Sequence, residues 1–193
     1  MLQHYDAVQM FTFLTYETFD HRTHGTLNGF AYQHLNQKTI PKHYGHKGAV
    51  GGAWAFRRSA LEKLGGLLDC CILGSGDWHM AFALAMRDDV HPDMNLHAAP
   101  GYVAAIKRWE DRAKALHGNI GFVDGHAIHH WHGPIGKRGY AWRSNILTEN
   151  HFDPLTDLTY DWQGLLKLTP AKPHMRDEIR AYFRQRNEDS IDL

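Results

Sequence analysis

Two short stretches of this chain carry residue types at spacings that could do chemistry. Residues 74–77 read Gly-Ser-Gly-Asp. Glycine serves where the backbone takes a positive φ or where something approaches it closely. A turn of this kind delivers Asp77 to the start of a helix, where a carboxylate can meet a ligand. Aspartate is also a favoured helix N-cap, and the positive end of the helix stabilises its charge. A cap and a general base are compatible roles for one side chain. The second stretch is His129-His130-Trp131-His132-Gly133. If residues 127–131 form a strand, alternation sends His130 and His132 to one face and His129 to the other. Imidazole is a common metal ligand. A hydrogen-bonded histidine beside Trp131 is the plainer alternative.

Further candidates surround these two. Gly51-Gly52 opens a stretch that continues through Trp54, Arg57 and Arg58. Arginine matches a diphosphate in geometry, although a pair of solvated side chains is an equal reading. Trp54 and Trp78 offer faces on which a sugar ring stacks, and both also suit a core. Lys137, Arg138 and Arg143 follow the histidine run and could close over phosphates. His43-Tyr44-Gly45-His46 is a weaker metal candidate than a set of solvated loop histidines.

The stretch from Gly51 to Leu84 resembles the second half of GT-A-type glycosyltransferases, of the family 2 and 7 kind common in phages and bacteria. Its Gly-Gly-x-x-Ala-x-Arg and Gly-x-Gly-Asp segments, and the downstream His-Gly pair at 132–133, fall in that family's order. The resemblance implies a truncated GT-A-like α/β domain with a mixed sheet and flanking helices. It implies transfer of a sugar from a nucleotide-diphospho-sugar to an acceptor. In that scheme Asp77 is the general base. Gly51, Gly52, Arg57, Arg58 and Trp78 hold the donor, and His132 with His130 holds a divalent metal, Mn²⁺ or Mg²⁺. The family's Asp-x-Asp metal motif does not precede Gly51, where Asp6 and Asp20 stand alone. The chain therefore corresponds to the acceptor-side half. Its donor-side half is absent or comes from a separate N-terminal half or a homo-oligomer, and the isolated chain is expected to be weak or inactive. A non-catalytic carbohydrate- or protein-binding module that has lost the donor site is the alternative. A histidine-rich metal hydrolase is a third reading, without a HExxH-type or paired-carboxylate motif to support it.

Composition narrows the class. A chain of 193 residues builds one domain with a real core, and the expectation is a single domain over 1–193. Lysine plus arginine equals aspartate plus glutamate at 21 each, so charge makes no case for nucleic acid or an anionic membrane. The 16 histidines are the unusual count. Cys70 and Cys71 are adjacent, a strained geometry for a disulfide, and read as small buried apolar side chains. With no disulfide framework, no membrane span and no signal-peptide pattern, a cytoplasmic setting is expected.

Periodicity places the elements. Tyr5–Tyr16 reads as one strand, after Leu2–Tyr5 as the end of a helix. Residues 17–48 read mostly as loop, with order from Phe30 to Leu35. Helices are expected at Arg58–Leu64, stopped by Gly65-Gly66, and at Asp77–Met86, with Met80, Ala81, Leu84 and Ala85 on one apolar face. Residues 87–104 read as loop. Ile106, Trp109, Ala113 and Leu116 mark a helix ended by Gly118. Ile120–Val123 and Ala127–Trp131 read as a hairpin about Asp124-Gly125. Tyr140–Asn150 reads as a helix broken at Phe152-Asp153-Pro154. The 170–193 region is a charged C-terminal helix with Ile179, Tyr182 and Phe183 on one side.

Overall fold

A computed structural model describes residues 1–36, 48–87, 100–186 and 188. The loop histidines His43 and His46 lie outside these. The architecture is mixed α/β, with small sheets and flanking helices. Among the described residues no helix is long and apolar enough to cross a membrane. The residues divide into two compact units. One comprises Met1–Asp69, Ser75–His91 and Arg108–Trp131; the other comprises Cys70–Gly74, Pro92–Lys107 and His132–Leu193.

The first unit is built on two short mixed sheets. Where one strand is expected from Tyr5 to Tyr16, there are two, β1 (Ala7–Gln9) and β2 (Phe13–Glu17). The turn at residues 1–5 is a single one, with the amides of His4 and Tyr5 donating to the Met1 carbonyl. The expected hairpin is absent. β5 (Ile120–Phe122) pairs with β1, and β6 (His126–His129) pairs with β2, both in parallel. The break between strands is matched on both sides. The amides of Thr12 and Phe13 donate to the Gly125 carbonyl, and the Thr12 hydroxyl donates to Val123 and Asp124. Asp124-Gly125 is thus a jog in a parallel ladder, whose donors and acceptors are met by the distant N-terminal segment.

Two antiparallel partners complete the sheets. β4 (Trp54–Phe56) joins β1, giving the order β4-β1-β5. β3 (Thr23–Asn28) joins β2, giving β3-β2-β6. β3 falls where a loop is expected: its Thr-His-Gly-Thr-Leu-Asn sequence is polar and largely exposed. The backbone ladder to β2 stabilises it, not apolar burial. α1 (Phe30–Asn36) follows. α2 (Arg58–Leu64) has the expected bounds, and Gly65 caps it at φ 71°. In α3 (Gly76–Leu84) the buried residues Trp78, His79, Ala81, Phe82 and Leu84 surround the helix, so it is a core helix and not a one-faced one.

α4 (Pro100–Ala113) begins inside the expected 87–104 loop. Tyr102, Ile106, Trp109, Ala113 and Leu116 are buried along one stripe. A 3₁₀ turn (Lys114–Leu116) and left-handed residues at His117 and Gly118 end it.

In the second unit, α5 (Arg143–Glu149) is shorter than the 140–150 expected. Asp153 then caps α6 (Pro154–Asp157), accepting from the Leu155 amide at 2.9 Å. A hairpin that periodicity does not reveal, β7 (Leu158–Tyr160) with β8 (Leu166–Leu168), leads to α7 (Pro173–Arg186). α7 buries Met175, Ile179 and Tyr182 but leaves Phe183 48 % exposed. Tyr102 packs on Phe152 with ring centroids 5.5 Å apart. Cys70 is buried, and neither cysteine forms a disulfide.

Candidate functional site

The first unit holds a cleft of about 640 Å³ lined by Gly51, Gly52, Trp54, Phe56, Leu61, Leu67, Leu68, Gly76, Asp77, Met80 and Leu84. Its size lies within the range of small-molecule sites. The buried side chain of Gln9 sets its glycine wall. The Gln9 amide donates to the carbonyls of Ala49 at 2.7 Å and Gly51 at 3.1 Å, and its oxygen accepts from the Ala31 amide at 2.9 Å. Gly52, at φ 87°, lies against the buried Phe11 ring, which a Cβ would meet at 2.7 Å. A Cβ on Gly51 would strike the Asp77 carboxylate. Close approach, the reason sequence reading gives for glycine here, is what both positions require.

Asp77 is exposed and is the second residue of α3, not its cap. Ser75 takes the cap position in a left-handed conformation at φ 71°. One Asp77 oxygen accepts from the amide of Trp78 at 2.9 Å. Trp78 itself is buried and packs on Phe82 with ring centroids 6.0 Å apart. Trp54 is the tryptophan that lines the cleft, its indole N–H tied to the Val50 carbonyl at 2.9 Å. Arg57 turns instead to the N-terminal segment, donating to the Leu2 carbonyl and facing Asp6 at 3.6 Å. Arg58 is exposed on α2. Neither arginine is among the described residues lining the cleft.

The histidine run leaves its strand early. β6 ends at His129, so strand alternation does not sort His130 and His132. His132 lies in the second unit. The guanidinium of the buried Arg138 stands 2.9 Å from its Nε2 and 3.3 Å from its Nδ1. Glu188 approaches Nδ1 at 3.4 Å and is itself paired with Arg186. A cation already faces both ring nitrogens, and the approaching carboxylate is neutralised. This surrounding does not fit Mn²⁺ or Mg²⁺, which need anionic oxygen ligands. Arg143 lies against the Tyr140 ring, 4.6 Å from its centroid.

His130 is part of a different group in the first unit. Its Nδ1 is 2.8 Å from the Glu17 carboxylate, and His21 Nδ1 is 3.4 Å from the same oxygen. The hydrogen bond from His130, reinforced by His21, holds the Glu17 carboxyl below the usual carboxylate range against the opposing effect of burial. Sequence reading takes Glu17 and His21 as loop residues and does not assign them. Their only signal is the count of histidines. The register Tyr16↔His129 puts Glu17 and His130 side by side just beyond the ladder, a proximity that no local pattern encodes.

Compared with protein-family models, with curated proteins and with solved structures, the chain gives no significant match.

Proposed function

We propose that the cleft of the first unit binds a sugar, and that the chain acts as the acceptor-side part of a GT-A-like glycosyl-transfer domain. The observation that carries this reading is the meeting of the Gly51-Gly52 wall with the Asp77 carboxylate in one cleft. Trp54 adds an aromatic wall of the kind on which a sugar's C–H face packs. In the reaction, an acceptor hydroxyl oxygen attacks the anomeric carbon of a nucleotide-diphospho-sugar. The bond from that carbon to the diphosphate breaks, and the nucleoside diphosphate leaves with the electron pair. Asp77 takes the hydroxyl proton as general base. No step runs through a metal at His132, since Arg138 faces that ring.

A second reading, a carbohydrate-binding cleft without turnover, is favoured by the lining. Asp77 is its single ionisable side chain among the described residues, and Arg57 and Arg58 do not line it. One experiment separates the two. Saturation-transfer NMR with UDP-glucose, UDP-N-acetylglucosamine, GDP-mannose and simple glycosides detects binding, and a coupled assay detects released nucleoside diphosphate. Transfer that Asp77→Asn abolishes while binding persists supports the first reading. Sugar binding without release supports the second. Loss of neither signal in Asp77→Asn and Gly51→Val, or no sugar signal at all, overturns both.

A further inference from the structure

Among the described residues, one group of three side chains gathers metal-ligating atoms: Glu17, His21 and His130, whose donor atoms all lie within 4.8 Å of one another. We propose that these three residues bind a divalent transition-metal ion of the Zn²⁺ type. The proposal is independent of any sugar chemistry in the cleft.

The geometry is close to what such an ion requires. Zinc–nitrogen and zinc–oxygen bonds of about 2.0–2.1 Å in a tetrahedron place neighbouring ligand atoms about 3.3 Å apart. Glu17 and His21 already stand at 3.4 Å. The 2.8 Å contact of Glu17 with His130 has to open by about half an ångström. The two imidazoles are 79 % and 73 % exposed, so their rings turn without disturbing a core, whereas Glu17 is 15 % exposed and fixes the centre.

The backbone holds the three together from far-apart positions. A register shift between Tyr16 and Glu17 re-aims the Glu17 side chain at the end of β2. The turn that follows is closed by the Thr18 amide donating to the Arg22 carbonyl at 2.8 Å, and His21 sits in it at φ 60°. His130 is brought alongside by the parallel pairing of β2 with β6. Phe19 in the turn meets Trp131 edge to face, with centroids 6.5 Å apart.

The donor set selects the metal. Two imidazole nitrogens and one carboxylate suit Zn²⁺ and its transition-metal neighbours, and leave a position for water. Mg²⁺ and Ca²⁺ favour all-oxygen shells and are disfavoured here.

The full chain, stripped with a chelator, is titrated with Zn²⁺ against a chromophoric competitor. One site per chain is expected, weakened at least about tenfold by each of Glu17→Gln, His21→Ala and His130→Ala. His174→Ala removes another histidine–carboxylate pair, with Glu178 at 3.2 Å, and should leave it unchanged. Excess Mg²⁺ should not compete. Unchanged Zn²⁺ affinity in the three variants overturns the proposal. Wild-type chain loaded with Co²⁺ gives a check that needs no variant. Paramagnetic shifts centred on the His21 and His130 rings support the site, and shifts centred on other histidines overturn it.

Discussion

The carboxylate of Asp77 stands directly against the bare Cα of Gly51, so that a single added methyl would clash with its Oδ2. The two lie 26 positions apart in the chain, and the approach is held from the Gly51 side by the buried amide of Gln9.

The two adjacent glycines should therefore respond differently to alanine. At Gly51 the obstructing atom is the free end of an exposed side chain that can swing away. Gly51→Ala should change stability by less than about 1 kcal/mol and act instead on ligand binding in the cleft. At Gly52 the backbone is left-handed and the obstacle is the buried Phe11 ring. Gly52→Ala should lose about 1–3 kcal/mol. Urea unfolding of the two variants checks the order.

Gln9→Leu should be among the more damaging substitutions in the first unit. It strands the Gly51 carbonyl and the Ala31 amide, and leaves the Ala49 carbonyl with only the Phe30 amide, in a site where Gln9 itself is 0 % exposed. Unmet buried groups of this kind put the loss at about 3 kcal/mol. The expected observation is a lower denaturation midpoint, with the Gly51–Gly52 amides exchanging faster with solvent.

In the second unit, Asp157 is buried and accepts from Lys172 at 2.7 Å and from the Asp153 amide at 2.8 Å. Lys172 also reaches the His151 carbonyl at 2.6 Å. Lys172→Met leaves the carboxylate without its cation and should destabilise by about 2 kcal/mol. The double variant Lys172→Met with Asp157→Asn should recover part of that loss, which thermal unfolding of the pair would detect.

Burial, with the nearby charge of Arg87, holds the His34 imidazole below its ordinary pKa. Above about pH 6.5 the ring is neutral in both folded and unfolded chains, and the shift has no effect on stability. As pH falls through that value the unfolded chain takes up a proton that folded His34 resists. Stability is then lost progressively until the folded pKa is passed. Between about pH 7.5 and 5.5 the denaturation midpoint should fall, and it should fall less in His34→Gln. An equal fall in both proteins would remove His34 as a contributor.

Local signals were readable where the chemistry is local. The bounds of α2 and its Gly65 cap follow from a short apolar repeat and a residue free to take φ 71°. The buried stripe of α4 follows from the spacing of Ile106, Trp109, Ala113 and Leu116. Gly51 and Asp77 were both legible as candidates, although not their contact. The hairpin reading of residues 120–131 failed because Asp124-Gly125 looks the same whether its neighbours pair with each other or with residues 7–17. β3 was missed because its faces are polar and its support is a ladder to β2. Glu17 with His130 was beyond local reading for the same reason as the parallel ladder: register is a property of two segments, not of one.

The parallel ladder also sets an order of events in the making of the protein. β1 with β4, and β2 with β3, can pair while the chain is young. The remaining partners of β1 and β2 lie far downstream, with Glu17 and His130 113 residues apart. At about 5–20 residues per second, a ribosome needs about 6–23 s to supply them. For that interval both strands present an open edge, the kind of surface that recruits other chains. The segment 120–129 closes both at once, late and across a long loop, which is the slow kind of pairing. It acts as the clasp of the first unit, and nascent chains halted before it would be the ones to associate or to be held by chaperones.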